Sequence, residues 1–169
     1  MLTLANAAAL AAGAPLVLPD PKDYDGDGKS DLVVYEGQRG VFRVRQSRFG
    51  TWDVPLGNAG MIPVAGDFDG DGLTDVAMYE PATGAWVVRP SSSGQTFVVA
   101  FGNADMVPVP GRYDGDAATD FAVFEPATGR WHTWLSGTGQ VQSFAWGNRE
   151  SIPVPGDYDL SLIHISEPT

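Results

Sequence analysis

Asp67-Phe68-Asp69-Gly70-Asp71-Gly72-Leu73-Thr74-Asp75 restates, 44 residues later, Asp23-Tyr24-Asp25-Gly26-Asp27-Gly28-Lys29-Ser30-Asp31. Both nonapeptides carry aspartate at positions 1, 3, 5 and 9 and glycine at positions 4 and 6. An altered third version begins at Arg112 and the opening of a fourth at Asp157, so successive starts lie 44, 45 and 45 residues apart. A fixed period of that length marks a repeat architecture, and the fold has to be read from the repeat before any local element is assigned.

The agreement runs through the whole period. Tyr35-Glu36, Tyr79-Glu80 and Phe124-Glu125 correspond, as do Gly40-Val41-Phe42, Gly84-Ala85-Trp86 and Gly129-Arg130-Trp131. Leu56-Gly57-Asn58, Phe101-Gly102-Asn103 and Trp146-Gly147-Asn148 follow, then Pro63, Pro108 and Pro153, with Pro19 in the same place before the first copy. Within a copy the apolar period is two: Val76 and Met78, then Phe121 and Val123, alternate with Ala and aromatic residues as in a strand buried on both faces. Glu80-Pro81-Ala82-Thr83-Gly84 has the residues of a hairpin turn, and Ser91-Ser92-Ser93-Gly94 and Ser136-Gly137-Thr138-Gly139 supply the next turns. Copy two therefore reads as strands at 62–66, 75–80, 85–89 and 96–101. Four short antiparallel strands in about 45 residues make one propeller blade. The predicted fold is all-β: about three four-stranded antiparallel blades at 16–58, 59–103 and 104–148, plus a partial one at 149–159, an incomplete propeller.

The chemistry is concentrated in the nonapeptides. Four carboxylates in nine residues repel one another unless a cation neutralises them, and a set of hard oxygen ligands suits Ca²⁺, which takes six to eight oxygens. Glycines at positions 4 and 6 let the backbone curl around an ion. The expected ligands are Asp23, Asp25, Asp27 and Asp31 with the Lys29 carbonyl, and Asp67, Asp69, Asp71 and Asp75 with the Leu73 carbonyl, making about two Ca²⁺ sites. An EF-hand is excluded, because its twelfth position, a bidentate Glu, falls here on Val34 and Met78 inside strand-like runs. In copy three Arg112 replaces the first Asp and Ala117 the second Gly. There the guanidinium is expected to stand in for the metal, so that Asp114, Asp116 and Asp120 bind calcium weakly or not at all.

Composition narrows the partners. With 21 Asp plus Glu against 10 Lys plus Arg, the net charge of -11 argues against nucleic acid and anionic membranes, which demand clustered cations. There is no cysteine, so disulfides, thiol catalysis and thiolate metal sites are excluded. The Ala-rich segment 1–15 reads as a leader or remnant signal segment, disordered or loosely helical; it is too broken by Asn6, Gly13 and Pro15 for a membrane span. The repeat stops at Leu160, and 160–169, with His164, matches nothing upstream and resembles translated adapter sequence.

On these residues the chain resembles the FG-GAP/VCBS family of calcium-binding β-propeller repeats, relatives of which occur in the integrin α head and in some fungal lectins. The resemblance spans roughly residues 16–159 and places Asp23, Asp25, Asp27, Lys29 and Asp31, and Asp67, Asp69, Asp71, Leu73 and Asp75, at the family's ligand positions. It implies export to a calcium-rich space, outside the cell or on its surface, and a role in adhesion or recognition of a protein or carbohydrate ligand. Three blades and a stub do not close a propeller, so further blades are expected from missing sequence or another chain.

Other residues read as structural. Phe42, Trp86 and Trp131 share one repeat position and are expected in inter-blade cores, whereas Trp52 and Trp134 lie off it and are the candidates for an exposed sugar platform. Arg43, Arg45 and Arg48 read as edge-strand guards against mispairing, and His132 as a solvent-facing strand residue. Glu36, Glu80 and Glu125 recur in every blade as structural positions. No nucleophile–base–acid set and no phosphate loop is present, so the expected function is non-enzymatic. The alternatives are a lectin-like module and an accessory domain of a larger secreted hydrolase.

Overall fold

The structure, a computed structural model, describes residues 22–155. The 1–15 leader, the expected opening of blade one at 16–21, Asp157 and Asp159 of copy four and the 160–169 tail lie outside the described residues. The described residues form three antiparallel sheets and no helix. Sheet one has the order β1 (Leu32–Glu36), β2 (Val41–Gln46), β3 (Gly50–Pro55). Sheet two runs β4 (Ile62–Gly66), β5 (Asp75–Glu80), β6 (Ala85–Arg89), β7 (Phe97–Ala100). Sheet three runs β8 (Val107–Pro108), β9 (Phe121–Glu125), β10 (Arg130–Trp134), β11 (Val141–Ala145).

Turn chemistry and alternation account for this order. In sheet two the Gly84 amide donates to the Glu80 carbonyl at 2.8 Å and the Gly94 amide to Pro90 at 2.9 Å, closing the two hairpins. Pro63 and Pro108 sit on the edge strands β4 and β8, where a missing amide interrupts no central ladder. Strand β5 is buried along both faces. Its Val76 and Met78 pack with Phe42, Val44 and Val54 of sheet one, while Ala77 and Tyr79 join Trp86, Val88 and Val123 between sheets two and three. The sheets therefore stack face to face in chain order, as successive blades, and the described arc is not closed.

Trp86 behaves as expected: it is fully buried, 5.2 Å from the Tyr79 ring and 5.3 Å from Phe121, and its indole donates to the Phe101 carbonyl at 2.7 Å. Three other expectations are corrected. Trp134 is not an exposed platform; it meets Phe101 at 6.0 Å and Phe121 at 6.3 Å, because its face of β10 is turned toward sheet two. Arg43 and Arg45 are not on an edge, since β2 is the central strand of sheet one, and Arg43 is held by Glu36 and Asp53, each at 3.0 Å. His132 does not face solvent freely: Nδ1 lies 2.7 Å from Ser143 Oγ, and Nε2 is buried without a hydrogen-bond partner.

Candidate functional site

Each nonapeptide links the first two strand positions of a blade, and each folds around its own first aspartate. Asp23 accepts the amides of Gly26 at 2.6 Å and Gly28 at 2.7 Å; Asp67 accepts those of Gly70 at 2.7 Å and Gly72 at 2.9 Å. This curl needs left-handed backbone at the two glycines, with φ of 75° and 79° in loop one and 75° and 87° in loop two. Carboxylate oxygens of Asp23, Asp25 and Asp27 come within 4.8 Å of one another, and so do those of Asp67, Asp69 and Asp71 and of Asp114, Asp116 and Asp120.

In the first two loops the ninth aspartate has a different place, whereas Asp120 belongs to the group of loop three. Asp31 lies outside the first three-carboxylate group and accepts the Tyr24 amide at 2.9 Å on one oxygen and the Ser47 amide at 2.8 Å on the other. Asp75 does the same with Phe68 at 2.8 Å and Ser91 at 2.6 Å, and Asp120 with Tyr113 and Ser136, both at 2.7 Å. Each therefore ties the acidic loop to the turn that joins the last two strands of its blade. The same turns satisfy the fifth aspartate: Ser47, Ser91 and Ser136 donate their hydroxyls to Asp27, Asp71 and Asp116 at 2.6, 2.7 and 2.8 Å. They reach the third as well, through the Arg48 amide to Asp25, the Ser92 hydroxyl to Asp69 and the Gly137 amide to Asp114. Lys29 and Leu73 enter through their amides, which donate to Asp27 and Asp71 at 2.9 and 2.8 Å. The turn serines escaped the sequence reading, although each falls 16 residues after the ninth aspartate of its copy.

Neighbouring loops are joined in a row. The amides of Thr74 and Thr119, both at position 8, donate to the position 1 carbonyls of the preceding loops, Asp23 at 2.8 Å and Asp67 at 2.6 Å. Thr119 Oγ1 also accepts the Asp67 amide at 2.9 Å. Arg112 follows this row rather than filling its own loop: its guanidinium lies 3.9 Å from Asp67 of the preceding blade, so it does not replace a metal among Asp114, Asp116 and Asp120.

Electrostatics separate the loops. Burial works against the Asp23 carboxylate, but the amides of Gly28, Gly26, Asp25 and Asp27 outweigh it and hold the group below the usual range. Asp27 is lowered chiefly by the Ser47 hydroxyl. Loop two lies between two others, and there burial wins: Asp67 is raised, and Asp75 is pushed up to about 6 by burial, with the Asp69 and Asp71 charges adding to it.

The residues fit a divalent cation. Asp25 Oδ1 is buried within its three-carboxylate group and has no hydrogen-bond partner, an acceptor that the protein itself leaves unmet. The donor set is entirely oxygen, the chemistry of a hard cation rather than of a nitrogen- or sulfur-seeking metal.

Among known families, a model described as an FG-GAP-like repeat matches residues 23–78, and one described as an FG-GAP repeat matches residues 59–99. Residues 23–99 carry FG-GAP-type repeats. Copy three lies beyond the matched residues, but its sheet repeats the strand order and the loop-to-turn contacts of the FG-GAP repeats before it. No curated protein and no solved structure matched the chain. Among the described residues no helix is long and apolar enough to cross a membrane.

Proposed function

We propose that this FG-GAP repeat module is a non-enzymatic, calcium-stabilised propeller scaffold of an exported protein, used for adhesion or ligand binding. The observation that carries the reading is the partnerless, buried Asp25 oxygen among three clustered carboxylates. Asp23, Asp25 and Asp27 would hold one ion and Asp67, Asp69 and Asp71 a second. Asp31 and Asp75 reinforce each loop from behind, and Lys29 and Leu73 offer carbonyls at the family position. Loop three, which has no first aspartate, binds weakly or not at all. The ion neutralises crowded carboxylates and crosslinks the loop; it does no redox or acid–base chemistry.

Magnitudes favour a structural ion outside the cell. Extracellular modules bind calcium at about 10⁻⁴–10⁻³ M, so at about 1 mM free calcium each filled loop adds about 0.4–1.4 kcal/mol. The full chain should melt a few degrees higher in millimolar calcium than in chelator, and Asp27→Ala and Asp71→Ala should each remove part of the increment. A cooperative melt indifferent to calcium would refute the metal reading while leaving the repeat fold intact.

One observation favours a carbohydrate ligand as a second reading. An open cavity of about 370 Å³ beside the first two loops is lined by Tyr24, Phe49 and Trp52, among others, and Phe49 and Trp52 are exposed there. Exposed aromatic faces suit a sugar ring. A glycan array with wild type and Trp52→Ala decides it: Trp52-dependent binding supports a lectin, and silence for both leaves the scaffold reading.

A further inference from the structure

The chain has five Asp-Gly bonds and no Asn-Gly: Asp25-Gly26 and Asp27-Gly28 in loop one, Asp69-Gly70 and Asp71-Gly72 in loop two, and Asp114-Gly115 in loop three. At such a bond the backbone amide readily attacks the side-chain carboxyl before it, because glycine puts no Cβ in the way. The fold treats one of the five differently. The amides of Gly26 and Gly28 donate to Asp23 at 2.6 and 2.7 Å, and those of Gly70 and Gly72 to Asp67 at 2.7 and 2.9 Å. All four of these glycines hold left-handed backbone. Copy three has Arg112 in place of the first aspartate, and its guanidinium turns to Asp67 of the preceding blade. The Gly115 amide therefore has no acceptor among the described residues. Gly115 is exposed, its φ is not left-handed, and a Cβ built on it would meet nothing within 4 Å. The carboxyl side does not discriminate. Asp114 accepts the Asp116 amide at 3.0 Å and the Gly137 amide at 3.2 Å, and Asp25, Asp27, Asp69 and Asp71 each accept at least one backbone amide.

We propose that Asp114-Gly115 is a modification site, the Asp-Gly bond at which the folded chain isomerises to isoaspartate. The Gly115 nitrogen gives up its proton and bonds to Cγ of Asp114. That proton, one carboxyl oxygen and a proton from solvent leave as water, closing a succinimide. Water then opens the ring at either carbonyl. Opening at the former main-chain carbonyl leaves the chain running through Cγ and a carboxylate on Cα, with no net change of mass or charge. In loops one and two the first aspartate opposes the opening step in three ways. Its oxygens occupy the N–H groups that would have to be surrendered, and its negative charge disfavours the amide anion that attacks. It also pins both glycines in the left-handed curl. Loop three has none of these restraints, and the argument rests on hydrogen bonds alone, independent of the calcium reading. The product has one more methylene in its main chain and loses the Asp114 contact with Gly137, which ties loop three to the turn between β10 and β11.

The test is isoaspartate mapping of the full chain, aged at neutral pH in chelator well below its melting midpoint, by digestion and electron-transfer fragmentation. Methyl transfer from S-adenosylmethionine by a protein-isoaspartate methyltransferase gives an independent count, which Asp114→Ala should largely remove. The denatured chain, aged alongside, supplies the intrinsic rate of each bond. Relative to that rate, Asp114 should isomerise about ten- to hundredfold faster than the other four aspartates, the factor that a hydrogen bond to a charged group is worth. Arg112→Asp should slow Asp114 to the range of the other four. Equal relative rates at the five bonds, a faster rate in loop one or two, or a folded chain that stays unmodified while the denatured chain reacts would overturn the proposal. An Arg112→Asp variant that melts cooperatively and still ages at Asp114 as fast as wild type would overturn the part given to the first aspartate. The wild-type comparison decides alone if that variant does not fold.

Discussion

Thr119→Val isolates one bond between two blades. Thr119 is 7% exposed and Asp67 8%; the threonine amide donates to the Asp67 carbonyl at 2.6 Å, and its hydroxyl accepts the Asp67 amide at 2.9 Å. Valine keeps the branched shape and the backbone bond but leaves the Asp67 amide facing a methyl group, away from water. A buried donor left without a partner costs about 1–3 kcal/mol. At about 2–4 °C per kcal/mol for a chain of this size, the melting midpoint should fall by about 2–12 °C. Thr119→Ser keeps the acceptor and gives up one methyl group, about 0.8 kcal/mol, so the order should be wild type, serine, valine. The assay is a thermal melt of the full chain in chelator, repeated in calcium, where the valine variant should also show a smaller calcium increment because Asp67 opens loop two. A valine variant within about half a kcal/mol of wild type, or a serine variant below it, would refute the argument that the hydroxyl joins the blades.

Other substitutions test the remaining pieces. Gly102→Ala should cost more than Gly139→Ala by about 1–3 kcal/mol: both glycines have positive φ, but at Gly102 a Cβ would lie 2.6 Å from Tyr79 Oη, and at Gly139 it would meet nothing within 4 Å. Chemical denaturation of both variants measures the difference. Asp75→Ala removes two amide acceptors, partly offset because burial disfavours its charge, and should cost about 2 kcal/mol in chelator as well as in calcium. A loss seen only in calcium would make Asp75 solely a metal ligand. Arg112→Asp combined with Ala117→Gly restores the aspartates and glycines of the first two loops in copy three, and calcium stoichiometry by titration calorimetry should rise from two to three.

The strands at 62–66, 75–80 and 85–89 stand where the sequence alone puts them, and the expected 96–101 strand is only trimmed to Phe97–Ala100. Alternation and turn residues are local signals, and here they are repeated in register, so one copy checks another. What escaped depends on which face meets which neighbour. Trp134 and His132 alternate away from Trp131, which looks like the path to solvent in an isolated sheet; in a stack both faces of a strand are interior. Arg43 and Arg45 look like edge guards until Phe42 and Val44 are seen paired on both sides. Thr119 and Ser91 have the composition of ordinary turns, and their partners lie 52 and 20 residues away, beyond any local pattern.

The same distinction explains the acidic loops. Spacing counts four carboxylates and makes them equivalent, but it carries no direction. In the folded loop the work is divided: position 1 gathers the loop's amides, position 9 ties the loop to a turn, and positions 3 and 5 accept hydrogen bonds from that turn. Asp23 and Asp67 thus hold the curl with neutral donors in place of a cation, and the hydroxyls of Ser47 and Ser91 relieve part of the crowding at Asp27 and Asp71. A loop that relied on calcium for its shape would tie folding to the ion, as in small metal-folded domains. A loop already closed by its own amides meets the ion as a formed cradle, and binding then reports mainly charge relief, set against the loss of hydrogen bonds the carboxylates already make. That is why the calcium increment should be small, about 0.4–1.4 kcal/mol per loop, and why the repeat should keep its cooperative fold in chelator.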